Sequence, residues 1–280
     1  MDEFEFDEIG YWSEVKLDII REYAHTYSTI LSAQTKPPLH HLYIDGFAGG
    51  GRHKTKNSGD IVSGSPSNAL AVRPPFREYH FIDLDQQKVA ALERLAVERS
   101  DVIVHSGDCN DVLLQKVFPR AKYEDYKRAL CVLDPYGLHL DWAVVATAGR
   151  MRSIEVFLNF PVADINRNVL WRDREGVSHT QQQRLTRYWG DETWKEAAYK
   201  PARQSGLFGS QPDEKASNDE VAEAFRQRLI NVAGFKHVPR PMAMRNSNNA
   251  IVYYLYFASS KPVANDIVNA IFEKYRNGAA

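Results

Sequence analysis

The chain has 280 residues, of which 44% are hydrophobic and 25% charged, and its formal net charge is −1. This composition is ordinary for a globular protein with a sizeable core; it excludes disorder and leaves no global positive charge to attract nucleic acid. No apolar run approaches the roughly 18 residues of a membrane span, and the acidic opening of the sequence does not resemble a secretory signal. Cys109 and Cys131 lack metal-ligand spacing. We therefore expect a cytoplasmic protein with reduced cysteines.

The first predicted element is a helix over residues 14–31. Its apolar side chains recur at helical spacing: Val15, Ile19, Ile20, Tyr23, Tyr27, Ile30 and Leu31. Ser13 is placed to cap this helix, and the segment TKPPLHH ends it. Lys16 lies within it, where a charged residue on an amphipathic helix most often faces solvent.

Strands and helices then alternate along the chain. Strands are predicted at 42–45, 78–85, 101–108, 129–137 and 153–160, and helices at 65–72, 86–99, 110–118 and 140–151. This order is typical of βαβ units and predicts an α/β fold with a mostly parallel sheet.

The rest of the chain is predicted to complete a single domain, 1–280. Residues 161–217 lose the periodic pattern and are predicted to form a helical insertion, with short helices at 179–190 and 191–199. A helix at 218–234, strands at 237–245 and 249–259, and a final helix at 264–276 follow. The SNN turn between the last two strands predicts a C-terminal antiparallel pair.

Polar residues finish the predicted parallel strands, where ligands bind in an open α/β sheet. They are Asp45, Asp83, Asp85, Asp108, Asp134 and Asn159. The glycine-rich segment after Asp45 fits neither common nucleotide motif. Gly51 is not followed by the Lys-Ser or Lys-Thr of a P-loop, and Asp83 lies too far along the chain to be the ribose acid of a dinucleotide fold.

The segment DGFAGGG, residues 45–51, resembles the D-x-F-A-G-x-G motif of S-adenosylmethionine-dependent methyltransferases. The resemblance implies that the turn formed by Gly46, Phe47, Ala48, Gly49 and Gly51 binds the methionine part of the cofactor. Asp45 would face the cofactor's ammonium group, and the first helix after the turn would begin late, capped by Ser65, behind a loop that folds over the cofactor.

The same resemblance assigns the remaining cofactor contacts. Asp83 would accept hydrogen bonds from the ribose hydroxyls, with Asp85 as a neighbouring candidate. Asp108 would bind the adenine amine, with the backbone N–H of Cys109 nearby.

The segment DPYG, residues 134–137, resembles the D-P-P-Y motif of amino-group methyltransferases but has only one proline. The resemblance implies that Asp134 and the Pro135 carbonyl hold an acceptor amine while Tyr136 stacks on a base of nucleic acid. Gly137 would lie beside the acceptor.

Nearly the whole chain resembles the three-Cys-motif partner proteins (TcmP), which look like methyltransferases without an assigned substrate. The shared segments are an N-terminal helix with an early lysine (Lys16), DGFAGGGR, GSP, FIDLD, GD, DPYG, NFP, RYWGDETW and YYLYFAS. The resemblance implies a Rossmann-like methyltransferase fold, S-adenosylmethionine as cofactor, and a three-cysteine protein as a partner. It also implies a cofactor contact for Lys16 and substrate contacts for Asn159, Phe160, Arg187 and Trp189.

Several alternatives stay open at this point. The glycine turn could hold no ligand, Asp83, Asp85 and Asp108 could be helix caps, and DPYG could be a simple turn. The acceptor could be a small molecule or a protein, or the chain could be a non-catalytic, cofactor-binding partner. Arginines and aromatics alternate in the insertion and could bind nucleic acid, or the aromatics could pack on the sheet. These arginines and aromatics are Arg167, Trp171, Arg172, Arg174, Arg184, Arg187, Tyr188, Trp189, Trp194, Tyr199 and Arg203. No histidine lies at convincing metal-ligand spacing, so no metal is expected.

Overall fold

The computed structural model of the chain describes residues 8–56, 59–171, 176–200 and 214–278. Arg172, Arg174 and Arg203, which we expected to help bind nucleic acid, lie outside these ranges. Within them, no helix is both long enough and apolar enough to cross a membrane.

The described helices follow one another as α1 (Tyr11–Ser32), α2 (Ser65–Ala71), α3 (Gln86–Ala96), α4 (Cys109–Val112), α5 (Trp142–Met151), α6 (Val162–Asn168), α7 (His179–Trp189), α8 (Trp194–Ala198), α9 (Asn218–Asn231) and α10 (Pro262–Gly278). A π-helical turn, Leu113–Val117, and a 3-10 turn, Phe118–Arg120, continue α4. The strands are β1 (Glu8–Ile9), β2 (His40–Asp45), β3 (Arg52–Thr55), β4 (Ile61–Ser63), β5 (Glu78–Asp83), β6 (Val102–Ser106), β7 (Lys127–Leu133), β8 (Ile154–Phe160), β9 (Tyr199–Lys200), β10 (Glu214–Lys215), β11 (Met242–Arg245) and β12 (Ile251–Ala258).

The central sheet has seven strands in the order β11-β12-β8-β7-β2-β5-β6. The strands from β8 to β6 run parallel, and β12 is antiparallel to both of its neighbours. The predicted Rossmann-like α/β fold with a C-terminal antiparallel pair is therefore confirmed. The strand order reverses between β2 and β7, and the crevice outside the carboxyl ends of two such strands is where ligands bind in sheets of this kind.

Each central strand is apolar on both faces, as a sheet covered by helices on both sides requires. In β2, for example, Leu42 and Ile44 join the core under α4 to α9, whereas Tyr43 joins the core under α1, α2, α3 and α10. The first and last of these helices, α1 and α10, also contact each other through an ion pair of 2.8 Å between Glu22 and Lys274. Two helical layers thus enclose the sheet.

Two predicted helix caps are wrong. The helix α1 begins at Tyr11 with Gly10 at the N-cap position, so Ser13 lies inside the first turn rather than before it. Gly64 occupies the N-cap position of α2, and Ser65 is the first helical residue. In both helices the N-cap residue is a glycine, which has no side chain to accept a hydrogen bond.

The segment between the glycine turn and α2 is not the plain loop that we expected. The strands β3 and β4 pair antiparallel within it, and β1 pairs parallel to β3. This small sheet joins the residues before α1 to the residues that follow the glycine turn.

Candidate functional site

Strand alternation gathers the polar strand ends on one face of the sheet. Two positions before each of Asp45, Asp134 and Asn159 lies an apolar residue of the core that α1 covers. These residues are Tyr43, Val132 and Phe157. Since side chains alternate along a strand, all three polar side chains lie on the same side as α1. The site is thus built where β2, β7 and β8 end beneath the first helix.

Lys16 of α1 forms an ion pair with Asp134 at the centre of this site. Its Nζ donates to Asp134 Oδ2, and the side-chain amide of Asn159 donates to Asp134 Oδ1 at 2.8 Å. Burial of Lys16 by itself lowers its pKa, but the attraction of Asp134 and the hydrogen bond to it outweigh burial, so the pKa is raised well above its usual value. Lys16 is therefore a buried cation, and the expectation that it faces solvent is wrong.

Asp45 is fully buried at the end of β2, and its carboxylate is only half satisfied. Oδ1 accepts a hydrogen bond of 3.3 Å from the backbone N–H of Phe47. Oδ2 is buried and has no hydrogen-bond partner among the described residues. Burial raises the pKa of Asp45 to about 7, although the nearby Ser65 side chain and the Phe47 backbone N–H act in the opposite direction. The Asp45 carboxyl thus has an unpartnered oxygen and is poised to ionise near neutral pH.

The glycine turn after Asp45 is bonded to the ends of the neighbouring strands. The N–H of Gly46 donates to Val132 O and that of Ala48 to Ile82 O, both at 2.9 Å. Gly49 has a φ of +62°, and a Cβ placed on it would meet only one side-chain atom, at 4.0 Å. Gly51 has a φ of +80°. The turn therefore needs glycine for its backbone conformation and leaves open space at Gly49.

Asp83 and Asp85 have different roles in the structure. Asp83 Oδ2 accepts from the N–H of Gly49 at 2.8 Å, and its Oδ1 accepts from the N–H of Asp85 at 2.9 Å. Asp85 is the N-cap of α3, with Oδ1 accepting from the N–H groups of Gln87 and Lys88. Asp83 is thus part of the glycine-turn network, whereas the alternative interpretation of Asp85 as a helix cap is confirmed.

Asp108 caps α4 and is linked to the loop that follows Asp134. Its Oδ1 accepts from the N–H of Asn110 at 2.8 Å and from the Asn110 side chain at 2.9 Å. Asn110 also donates to His139 O and accepts from the N–H of Asp141. Asn110 therefore ties two strand-end loops together, a role that the sequence interpretation missed because the residue looked like part of a capping cluster.

The Cys109 side chain beside this cap is buried, and burial raises the pKa of its thiol above the usual value. The predicted role of Cys109 involves only its backbone N–H, so burial of the side chain does not conflict with that role. That role stays a prediction.

The DPYG segment turns away from the sheet directly after Asp134. Pro135 is buried, whereas Tyr136 is 93% exposed. Gly137 has a φ of +65°, and a Cβ there would lie 3.1 Å from Asp164 Oδ2, a buried oxygen without a partner in the described residues. The segment thus places an exposed aromatic ring two residues after a carboxylate that is fixed by Lys16 and Asn159.

Two predicted substrate contacts are wrong, and a third is altered. Phe160 and Trp189 are 0% and 2% exposed and pack in the core with Phe225, so their side chains cannot reach an acceptor. Arg187 is exposed but forms an ion pair with Asp141 at 2.8 Å. Asn159 does lie at the site, and the hydroxyl of Tyr188 donates to its backbone oxygen at 2.7 Å.

The insertion contains the helices α6, α7 and α8 and the short pair β9–β10. Its described aromatics mostly pack inward, because Tyr188, Trp189, Trp194 and Tyr199 are buried and, in the described part of the insertion, only Trp171, at 42% exposure, is open to solvent. The alternative in which the insertion's aromatics pack on the sheet is therefore the correct one for these four residues.

Comparisons with known proteins support the fold. No family model and no curated protein matches the sequence. Protein LPL1258 of Legionella pneumophila, from the family DUF519, is 12% identical and aligns over 92% of this chain and 91% of its own with a TM-score of 0.52. At this identity the likeness shows a shared fold and nothing more.

Two further solved structures are more distant. A candidate methyltransferase of Thermobifida fusca is 16% identical over 89% of this chain and 79% of its own, with a TM-score of 0.43. A candidate methyltransferase in a complex with the Haloferax volcanii methyltransferase activator Trm112 is 12% identical over 89% and 93%, with a TM-score of 0.35. At these TM-scores neither structure carries an argument about this chain.

Proposed function

We propose that this protein is an S-adenosylmethionine-dependent methyltransferase whose acceptor is an amine on a nucleic-acid base. One observation carries the proposal: Asp134, at the switch point of the sheet, is fixed by Lys16 and Asn159 beside the Asp45–glycine turn. The resemblance of both segments to methyltransferase motifs and the methyltransferase-type fold support it. The three-Cys-motif partner family is the finer assignment that we propose on the same resemblance.

The residues around the glycine turn fit this cofactor. The unpartnered Asp45 Oδ2 suits a positively charged ammonium group, and Gly49 leaves room for a ligand close to the backbone. A carboxylate has about four acceptor positions, so Asp83 retains capacity for ribose hydroxyls after its two backbone bonds. Asp108 Oδ2, which caps nothing, remains for the adenine amine. When bound, S-adenosylmethionine supplies an electrophilic methyl group on a sulfonium sulfur.

The acceptor side of the site consists of groups that orient an amine. Lys16 and Asn159 each occupy one acceptor position of Asp134, which leaves one on each oxygen for the hydrogens of an amine. Lys16 remains protonated because its pKa is raised, so it acts as a fixed counter-charge for Asp134 and not as a base. We assign to Tyr136 the stacking of a base and to the Pro135 carbonyl a second contact with the amine. Catalysis of this type rests on orientation and electrostatics.

The test combines cofactor binding with methyl transfer. Calorimetry with S-adenosylmethionine is expected to give similar affinities for the wild type and Asp134→Ala, and a much weaker affinity for Asp83→Ala. Labelled methyl groups are expected to enter RNA or DNA with the wild type and to fall by at least about 100-fold with Asp134→Ala, the loss typical of a removed positioning group. Turnover by Asp134→Ala at the wild-type rate would refute the assigned role.

Labelling of total protein and of a small-molecule extract separates the other acceptors. If one of these gains the label and nucleic acid does not, the methyltransferase proposal stands and the base is wrong. If cofactor binds and no acceptor is ever labelled, the chain is a cofactor-binding partner and not an enzyme.

A further inference from the structure

A stripe of positive charge lies on the hairpin that follows the glycine turn. Arg52, Lys54 and Lys56 alternate along β3 and its continuation, and all three are exposed. Alternate residues of a strand point to the same side and lie about 6.6 Å apart, so the three charges form a line. Within the described residues none of them forms an ion pair. We call these three residues the hairpin stripe.

Chain connectivity places this stripe at the same end of the sheet as the candidate site. Arg52 comes directly after Gly51, the last glycine of the turn. The strand β1 pairs with β3, with Ile9 opposite Thr55, and the N–H of Lys56 donates to Ile9 O at 2.9 Å. From β1 the chain enters α1, whose second turn contains Lys16, the ion-pair partner of Asp134. The hairpin stripe is thus connected to the site by backbone pairing on one side and by the glycine turn on the other.

We propose that the hairpin stripe binds the phosphate backbone of a single-stranded nucleic acid whose base reaches Asp134 and Tyr136. The inference rests on the proposed function, because it names the surface that holds the acceptor. A line of exposed cations that form no ion pair with any described residue suits a linear polyanion, and phosphate contacts of this kind position a strand without reading its sequence. A single strand is favoured because a base must leave its stack before its amine can enter such a site.

The hairpin and the insertion differ in how their charges are arranged. The net charge of the whole chain is −1, whereas residues 52–63 together with Glu8, whose Cα pairs opposite that of Lys54, contain three basic and two acidic residues, a local charge of +1. In the insertion, Arg187 is paired with Asp141, Arg184 contacts His139 Nε2 at 3.3 Å, and four of the aromatics are buried. Tyr136, at 93% exposure, is by contrast free to stack on a base beside Asp134. A backbone contact and a stacking ring therefore belong to the same end of the sheet.

The test compares two triple variants of equal charge. One is Arg52→Gln/Lys54→Gln/Lys56→Gln; the control is Arg94→Gln/Lys116→Gln/Lys122→Gln, which removes one arginine and two lysines that are exposed elsewhere on the surface. Binding to a labelled single-stranded RNA or DNA of mixed sequence is measured by fluorescence anisotropy between 50 and 300 mM salt, about the range over which phosphate contacts are lost. Melting temperatures and calorimetric S-adenosylmethionine binding are measured on the same samples.

We expect the hairpin variant to bind the oligonucleotide at least about tenfold more weakly at low salt, with the log–log salt slope reduced by about 2, since each lost phosphate contact contributes roughly 0.7. The control variant is expected to keep wild-type binding, and both are expected to keep cofactor binding and the melting temperature. Equal losses in the two variants, or no loss in the hairpin variant, would overturn the inference. So would equal affinity of the wild type for polyglutamate of the same length.

Failure of this inference is distinguishable from failure of the proposed function. If the hairpin variant binds oligonucleotide normally but the wild type methylates nucleic acid, only the surface is wrong. If the wild type binds no S-adenosylmethionine, the proposed function fails whatever the hairpin does. The three single variants, each removing one exposed charge, repeat the measurement should the triple variant melt at a lower temperature.

Discussion

Replacing Asp45 with asparagine should make the protein more stable at alkaline pH and at the same time weaken its binding of S-adenosylmethionine. The pKa of Asp45 is raised from 3.8 to about 7, first of all by burial. A carboxyl whose pKa is raised on folding destabilises the folded state wherever it must ionise, and each pH unit between the two pKa values costs about 1.4 kcal/mol. Above pH 7 the cost approaches about 4 kcal/mol, and below pH 4 it vanishes.

The assay is urea unfolding of the wild type and Asp45→Asn at pH 4.5, 6, 7 and 8. We expect Asp45→Asn to gain stability relative to the wild type as the pH rises, with most of the change between pH 4.5 and 7. Using the difference between two variants cancels the titration of His41 and His105, whose pKa values are lowered to about 4 by burial and which affect both proteins alike. A difference that does not change with pH would refute the reasoning about Asp45.

Cofactor binding provides the second half of this prediction. An ammonium group is held by the ionised carboxylate, so wild-type affinity should fall by up to about tenfold per pH unit below pH 7. Asp45→Asn should bind weakly and lose this pH dependence. Asp83→Asn is the matched control, because it should weaken binding while the pH dependence due to Asp45 remains. Tight binding by Asp45→Asn at pH 8 would mean that the Asp45 carboxylate does not face the cofactor.

Two other predictions concern the frame of the site. Lys16→Met should lower the free energy of unfolding by about 2 kcal/mol and reduce methyl transfer at least tenfold, because it leaves Asp134 without its partner. Lys16→Arg, which keeps the positive charge, should restore most of the stability. Denaturant unfolding and turnover assays check both variants, and an unaffected Lys16→Met would contradict the role of the ion pair. Gly51→Ala should destabilise the fold by about 2 kcal/mol more than Gly59→Ala. Both glycines have a positive φ, but only at Gly51 would a Cβ lie 2.5 Å from the Leu95 side chain. Equal losses of stability in denaturant unfolding would show that backbone conformation alone matters.

The order of helices and strands was predictable because each central strand and each covering helix has a plain hydrophobic period. The helix α3 was predicted at 86–99 and lies at Gln86–Ala96, and the strand predicted at 153–160 lies at Ile154–Phe160. The hairpin β3–β4 was missed because both strands are short and β3 is polar. Arg52 to Lys56 alternate in exposure without an apolar run to mark them. Pairing with β1, which is distant in sequence, stabilises this segment instead.

The candidate site was predictable in part. Polar residues at the strand ends identified Asp45, Asp83 and Asp134, since parallel strands bring their carboxyl ends to one edge. The ion pair of Lys16 was not expected, because the sequence does not reveal that α1 covers the face of the sheet on which Asp134 lies. Phe160 and Trp189 were misassigned because a motif identifies positions along the chain and does not reveal which side chains point into the core.

The contact between α1 and α10 bears on how the protein is made. Glu22 and Lys274 are 252 positions apart, so the helix that carries Lys16 is synthesised long before the helix that packs against it. At about 5 to 20 residues per second, that delay is roughly 10 to 50 s. During this time the apolar face of α1 lacks one of its covering neighbours, and Lys16 has no partner until Asp134, the residue after β7, has been synthesised. The polar centre of the site therefore depends on contacts between distant parts of the chain, and a chain truncated before α10 should lose the Glu22–Lys274 ion pair and one of the neighbours of α1.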